Sequence, residues 1–253
     1  VAGGSIERVN VGIGGAQASL NSPSAGAALS GNGLVVAFTS WASNLVGNDT
    51  NLTWDVFVHD RSTHTTERVS LGVGGVQGNG RSENATLSES GTLVAFQSNA
   101  TNLVPGDTNG LTDIFVRDRS GGLTERVSVG AGGQQANGAS TNASISADGR
   151  YVVFESAASN LVAGDTNGVT DIFVHDRQSD VTTRVSVLAN GTEANDHCYN
   201  PSISGDGRYV VFETTATNLS QWDTNQKADI FMAVLATGAV FRISLGYEGE
   251  LNG

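Results

Sequence analysis

Acidic side chains recur at one spacing along this chain. Residues 49–55, 107–113, 165–171 and 223–229 each read Asp-Thr-Asn-x-x-x-Asp. In the first three, Asp49, Asn51 and Asp55, then Asp107, Asn109 and Asp113, then Asp165, Asn167 and Asp171 set three oxygen donors on a tight loop. Hard cations such as calcium take roughly six to eight oxygens from loops of this kind, with backbone carbonyls and water completing the shell. Gly110 and Gly168 ease the turn in two copies, whereas Gln226 and Lys227 make the fourth the poorest binder. The spacing is not that of an EF-hand. The competing reading is an Asx-turn network, in which the same side chains bond nearby backbone in a long connection. Both readings stay open on sequence.

Other residues stand out by breaking the pattern. Asp196-His197-Cys198-Tyr199 has no counterpart elsewhere, so His197 is a weak candidate for acid/base work and Tyr199 a candidate ligand contact. Trp41, Trp54 and Trp222 replace small or polar residues; Trp54, for example, aligns with Thr112, Thr170 and Ala228. Tryptophan beside amides suits stacking on a sugar ring or anchoring a protein partner, and it equally suits covering its own loop. Catalytic signatures such as G-x-S-x-G, H-E-x-x-H, S-x-x-K and C-x-x-C are absent. The G-x-G-G stretches at 12–15, 72–75 and 130–133 lack the Lys-Ser/Thr of a phosphate loop and read as connections. Asp60/Arg68, Asp118/Arg126 and Asp176/Arg184 are expected to pair across a hairpin. His59 and His175 are expected at exposed strand positions, and His64 in the hairpin turn.

The elements that position these residues follow from a repeat of 58 residues. One run ends at Phe38, Phe96, Phe154 and Phe212. A second reads DVFVHDR, DIFVRDR, DIFVHDR and DIFMAVL, and a third centres on Arg68, Arg126, Arg184 and Arg242. The runs are short, rich in Val, Ile, Phe and Thr, and punctuated by Asp-Gly, with no helical periodicity. Four short strands per unit, each unit too small to bury its own faces, is the physics of a β-propeller. The expectation is one all-β domain over 1–253, with units at about 14–71, 72–129, 130–187 and 188–245.

Composition narrows the partners. The 253 residues carry a formal charge of −12, with Lys227 the only lysine, which argues against nucleic acid and acidic lipid. No apolar run approaches a membrane span of about 18 residues. Cys198 is alone, so no disulfide framework is expected. Val1 opens the chain without Met or a signal-like segment, which reads as a mature or trimmed form.

The sequence S-I-S-x-D-G-R-Y-V-V-F-E at 144–155 and 202–213, continued by N-L-V-x-G-D-T-N-G-x-x-D-I-F-V-x-D-R, resembles the WD40-like (PD40) repeats of TolB-type propellers, in a bacterial secreted subgroup. The resemblance spans nearly the whole chain. It implies a secreted, periplasmic or cell-surface protein that binds a protein or glycan without catalysis. Some related propellers are polysaccharide lyases or hydrolases, so an enzyme with a site near the central channel is the first alternative. A basic pocket joining His197, Arg81 and Arg117 would favour that reading, and an acidic channel would oppose it. A structural segment of a longer surface protein is the second.

Counting strands gives four blades and a surplus strand at residues 6–10. A four-bladed ring, two terminal strands competing for one place, and part of a longer or two-chain ring all fit that count. In the fourth unit Ala233-Val234-Leu235 replaces His-Asp-Arg, leaving a strand apolar on both faces. Such strands are covered on both faces. Residues 230–236 are therefore expected to lie under the N-terminal segment or a second chain, as in a homodimer.

Overall fold

The computed structural model describes residues 6–19, 23–221, 223 and 227–244. Four antiparallel four-stranded meanders follow one another. Blade 1 comprises Ser24–Leu29, Val35–Ser40, Asp55–Asp60 and Thr65–Arg68. Blade 2 comprises Ser82–Leu87, Leu93–Ser98, Asp113–Asp118 and Leu123–Arg126. Blade 3 comprises Ser140–Ile145, Tyr151–Ser156, Asp171–Asp176 and Val181–Arg184, and blade 4 Cys198–Ile203, Tyr209–Thr214, Asp229–Val234 and Ala239–Arg242. The first strands of successive blades pack on one another and form the inner edge. No helix among the described residues is long and apolar enough to cross a membrane.

Alternation along the third strand builds the core. Phe57, Phe115, Phe173 and Phe231 share one face of their blades and stack on Phe38, Phe96, Phe154 and Phe212 at 5.8, 5.9, 6.0 and 6.0 Å; in blades 2, 3 and 4 that face meets the preceding blade, and in blade 1 it packs on Ala18, Ala42 and Leu45. The intervening residues point forward: Val56 and Val58 join one buried cluster with Phe96 and Phe115 of blade 2. Ile114 and Val116 meet Phe154 and Phe173, and Ile172 and Val174 meet Phe212 and Phe231. Each blade thus gives a phenylalanine face to the blade before it and a β-branched face to the blade after it. The Asp-Gly turns lock this stacking. Gly149 and Gly207 have φ of +73° and +69°, and a Cβ there would lie 2.1 Å from Leu93 and 2.6 Å from Tyr151 of the preceding blade. Glycine is needed for the backbone and for the close approach together.

Of the three closures that fit the strand count, a closed four-bladed ring is not seen among the described residues. Blades pack in the order 1, 2, 3, 4, with no comparable seam between blades 4 and 1 among the described residues. The first strand of blade 1 is largely exposed, and the forward face of blade 4 shows Ile230 at 39%, Ile243 at 46% and Phe241 at 51% exposure. Strand 230–236 is therefore covered on its phenylalanine side only, and the expected cover on its other face is not found among the described residues. The surplus strand at residues 6–10 forms no ladder. It still takes the place of a preceding blade's outer strand. Thr66 donates to the Val11 carbonyl as Thr124 does to that of Leu71, and Arg61 holds Glu7 as Arg119 holds Glu67. Without a sheet to join, the segment keeps the side-chain contacts and loses the ladder.

Candidate functional site

The acidic loops converge on arginine. Arg68 Nη1 lies 3.0 Å from Asp49 and 3.4 Å from Asp55; Arg126 lies 3.2 and 3.6 Å from Asp107 and Asp113. Arg184 lies 3.1 and 3.4 Å from Asp165 and Asp171, and Arg242 3.6 and 3.4 Å from Asp223 and Asp229. Asn51 turns its amide nitrogen to Asp55 at 2.8 Å and to the Gly78 carbonyl at 2.9 Å, as Asn109 and Asn167 do in their blades. Ser70 and Ser128 donate to the second carboxylate at 2.5 and 2.6 Å. The Asp, Asn, Asp set therefore does not present three oxygens to one point. A guanidinium supplies the positive charge, and the asparagine acts as a donor. Burial pushes the Asp49, Asp107 and Asp165 carboxyls above the usual range, while the arginine beside each pulls the other way.

The hairpin ion pairs are corrected by register. Asp60 stands opposite Thr65, whereas Arg68 stands opposite Phe57, so the arginine lies at the far end of the strand. Asp60 instead caps its own turn, accepting from the backbone N–H groups of Ser62 and Thr63. Asp176 pairs with Arg150 at 2.7 Å. His59 and His175 are likewise not surface residues: they are 1% and 3% exposed, His59 beside Glu7 of the N-terminal segment and His175 behind the Glu125–Arg177 bridge of blades 2 and 3.

Two of the pattern-breaking tryptophans do meet. Trp41 and Trp54 lie 6.4 Å apart and tilted by 37°, with the Arg81 guanidinium 5.4 Å above the Trp54 ring. Arg81 is in turn held by Glu83 at 2.5 Å. Trp222 lies outside the described residues. His197 and Tyr199 stack at 5.7 Å in the seam of blades 3 and 4, two seams away from the tryptophan pair. His197 Nδ1 accepts the Thr170 backbone N–H at 2.9 Å, so the neutral ring carries its proton on Nε2 and has no free lone pair for a general base. Arg117 sits buried beside Thr124 at the outer strand, far in register from Arg81, so no joint basic pocket forms. The inner edge is acidic and amide-rich: Glu155 accepts from Asn142 and Asn200, and Asn84 bonds Asn142 across blades. The bulged Asn84, Asn142 and Asn200, at φ of 53°, 52° and 52°, turn this row inward.

The seam between blades 3 and 4 differs from the two before it. Seams 1–2 and 2–3 carry Glu67–Arg119 and Glu125–Arg177 bridges, with Arg117 and His175 filling the space behind them. In seam 3–4, Thr183, Leu235 and Ala233 stand at those places. A cavity of about 780 Å³ opens there, lined by Val174, Val185, Leu188, Ala233 and Leu235, with the Arg150–Asp176 pair at its rim. The sequence signal was the Ala233-Val234-Leu235 replacement, but only the seam shows which volume it removes.

No protein-family model and no curated protein matches the chain. Solved structures do. TolB from Acinetobacter baumannii is 17% identical with a TM-score of 0.51, over 87% of this chain and 43% of that one. A TolB structure from Agrobacterium tumefaciens is 17% identical with a TM-score of 0.53, over 88% and 62%. An oligogalacturonate lyase in complex with manganese is 13% identical with a TM-score of 0.53, over 90% and 55%. The chain therefore spans between 43% and 62% of the length of these neighbours. At such identities the likeness is one of fold, and joined to the four meanders it makes this chain a β-propeller, the fold it shares with these TolB structures.

Proposed function

We propose that the chain is a non-catalytic binding and scaffold propeller, and that it binds a second copy of itself through the forward face of blade 4. The observation that carries this is the apolar face made by Tyr209, Ile230, Phe241 and Ile243 with the half-buried Met232, which the described residues leave exposed. Its equivalents in blade 3, Ile172 and Val185, are 0% and 7% exposed because blade 4 covers them. Monomers rarely leave such a contiguous patch to water. The opposite end of the array is already partly filled, because Glu7 and Val11 hold the place of a preceding outer strand. A head-to-tail copy would have to evict that segment, whereas a two-fold tail-to-tail pair would not, and two-fold dimers are the commonest closed assembly. Light scattering on a sizing column, from about 1 to about 100 µM protein, is expected to show a dimer. Ile230→Lys with Ile243→Lys, both at exposed positions, is expected to return it to monomer. A wild-type monomer throughout refutes the reading.

A second reading rests on Trp41, Trp54 and Arg81, an aromatic shelf with a guanidinium and a carboxylate beside it. It suits a sugar ring stacked on indole with hydroxyls bonded to Arg81 and Glu83. Neutral and acidic oligosaccharides titrated against tryptophan fluorescence test it, with Trp41→Ala as the variant that abolishes the response. The acidic inner edge and the tied Nδ1 of His197 support binding over lyase chemistry. The arginine-centred loops support a clamp that needs no calcium.

A further inference from the structure

We propose that Glu7, His59 and His64 form a binding site for one divalent transition metal ion of the zinc class, stapling the N-terminal segment to blade 1. One donor atom from each lies within 4.8 Å of the other two. Glu7 Oε1 is 4.0 Å from His59 Nε2 and 3.6 Å from His64 Nδ1, while its other oxygen is held by Arg61 at 3.0 Å. Donors around a tetrahedral zinc stand roughly 3.3 Å apart, so small rotations of the Glu7 carboxylate and of the exposed His64 ring are needed to close the set on the buried His59. Two imidazoles and a carboxylate leave one position for water.

The hydrogen bonds behind His59 fix its tautomer. Thr66 Oγ1 spends its proton on the Val11 carbonyl and therefore accepts from His59 Nδ1 at 3.0 Å. Nε2 is left with its lone pair aimed at Glu7, the arrangement in which metal-binding histidines are held.

Comparison of the blades shows what this place takes. In blade 2 the corresponding residue is Arg117, which donates to Thr124 at 3.1 Å, so a cation already stands there. Blade 3 repeats the histidine: His175 bonds Thr182 at 3.0 Å and faces Asp180 at 3.6 Å. The turn position is Gly122 in blade 2, Asp180 in blade 3 and His64 in blade 1, so only blade 1 adds a second imidazole.

The test uses tag-free full chain, stripped of metal and titrated with zinc chloride by calorimetry, with cobalt(II) as a visible probe of tetrahedral geometry. One equivalent is expected to bind. His64→Gly suits the backbone, since φ there is 55° and blade 2 carries glycine. That variant and Glu7→Gln are each expected to weaken binding at least tenfold, roughly the loss that even second-shell changes bring. Asp180→Gly is expected to leave it unchanged. No saturable one-equivalent binding, or binding undiminished in His64→Gly or in Glu7→Gln, overturns the assignment.

Discussion

Replacing Arg126 with alanine is the sharpest perturbation of the acidic loops. Its side chain lies in a nearly dry pocket with Asp107 and Asp113, 3.2 and 3.6 Å from the guanidinium. Removing it leaves two carboxylates buried with no cation, and breaking a buried pair in this way costs about 3–5 kcal/mol. Arg119→Ala is the matched control. Its partner Glu67 is half exposed, and such pairs are worth about 0–1 kcal/mol. Urea unfolding followed by tryptophan fluorescence is expected to separate the two variants by at least about 2 kcal/mol. The deficit also has a pH signature. Burial raises the Asp107 carboxyl, so its contribution is present below the unfolded value of 3.8 and is lost as pH rises through the folded value. Without Arg126 that penalty grows at neutral pH, so the Arg126→Ala deficit shrinks on moving from about pH 8 to about pH 5. A loss no larger than that of Arg119→Ala would refute the clamp and reopen the loops as sites where some other cation balances the charge.

Three further outcomes follow from the same geometry. Metal-stripped protein is expected to melt at one temperature with and without millimolar calcium, because an arginine already stands between the carboxylates. A rise of several degrees in calorimetry would contradict this. Glu193, held down to about 2 by hydrogen bonds from Thr166 and by Arg184, contributes stability that is present above its usual 4.5 and lost as pH falls towards 2. Glu193→Gln is therefore expected to flatten the acid limb of the melting curve between those values, and an unchanged slope would count against it. Burial pushes the Cys198 thiol up to about 12, so it is expected to resist thiol reagents at pH 8 in the folded protein and react only after denaturation.

The four strands of each blade and their order are legible in the sequence because they depend on local properties. Alternation places Phe57 and Val58 on opposite faces, and Asp148-Gly149 and Asp206-Gly207 supply turns that need positive φ. A repeat of 58 residues multiplies each signal by four. The tight packing of one blade on the next follows from the same alternation, since a meander with two apolar faces must stack.

Partners across space were not legible. Sequence proximity pairs Arg68 with Asp60, but strand register sets Arg68 beside Phe57 and so delivers it to Asp49 and Asp55. His59 alternates as a surface residue would, yet a neighbouring segment covers it, and Glu7 reaches it from more than fifty residues away. Trp41 and Trp54 stand out by residue type, whereas Arg81 joins them only because the next blade begins there. Sequence alone determined which elements form and which faces are apolar, because those follow from each residue's own chemistry and its nearest neighbours. Which faces are covered, which charges meet, and where the array is left open were decided by tertiary structure, because they depend on how one blade's backbone sets the position of another's side chains.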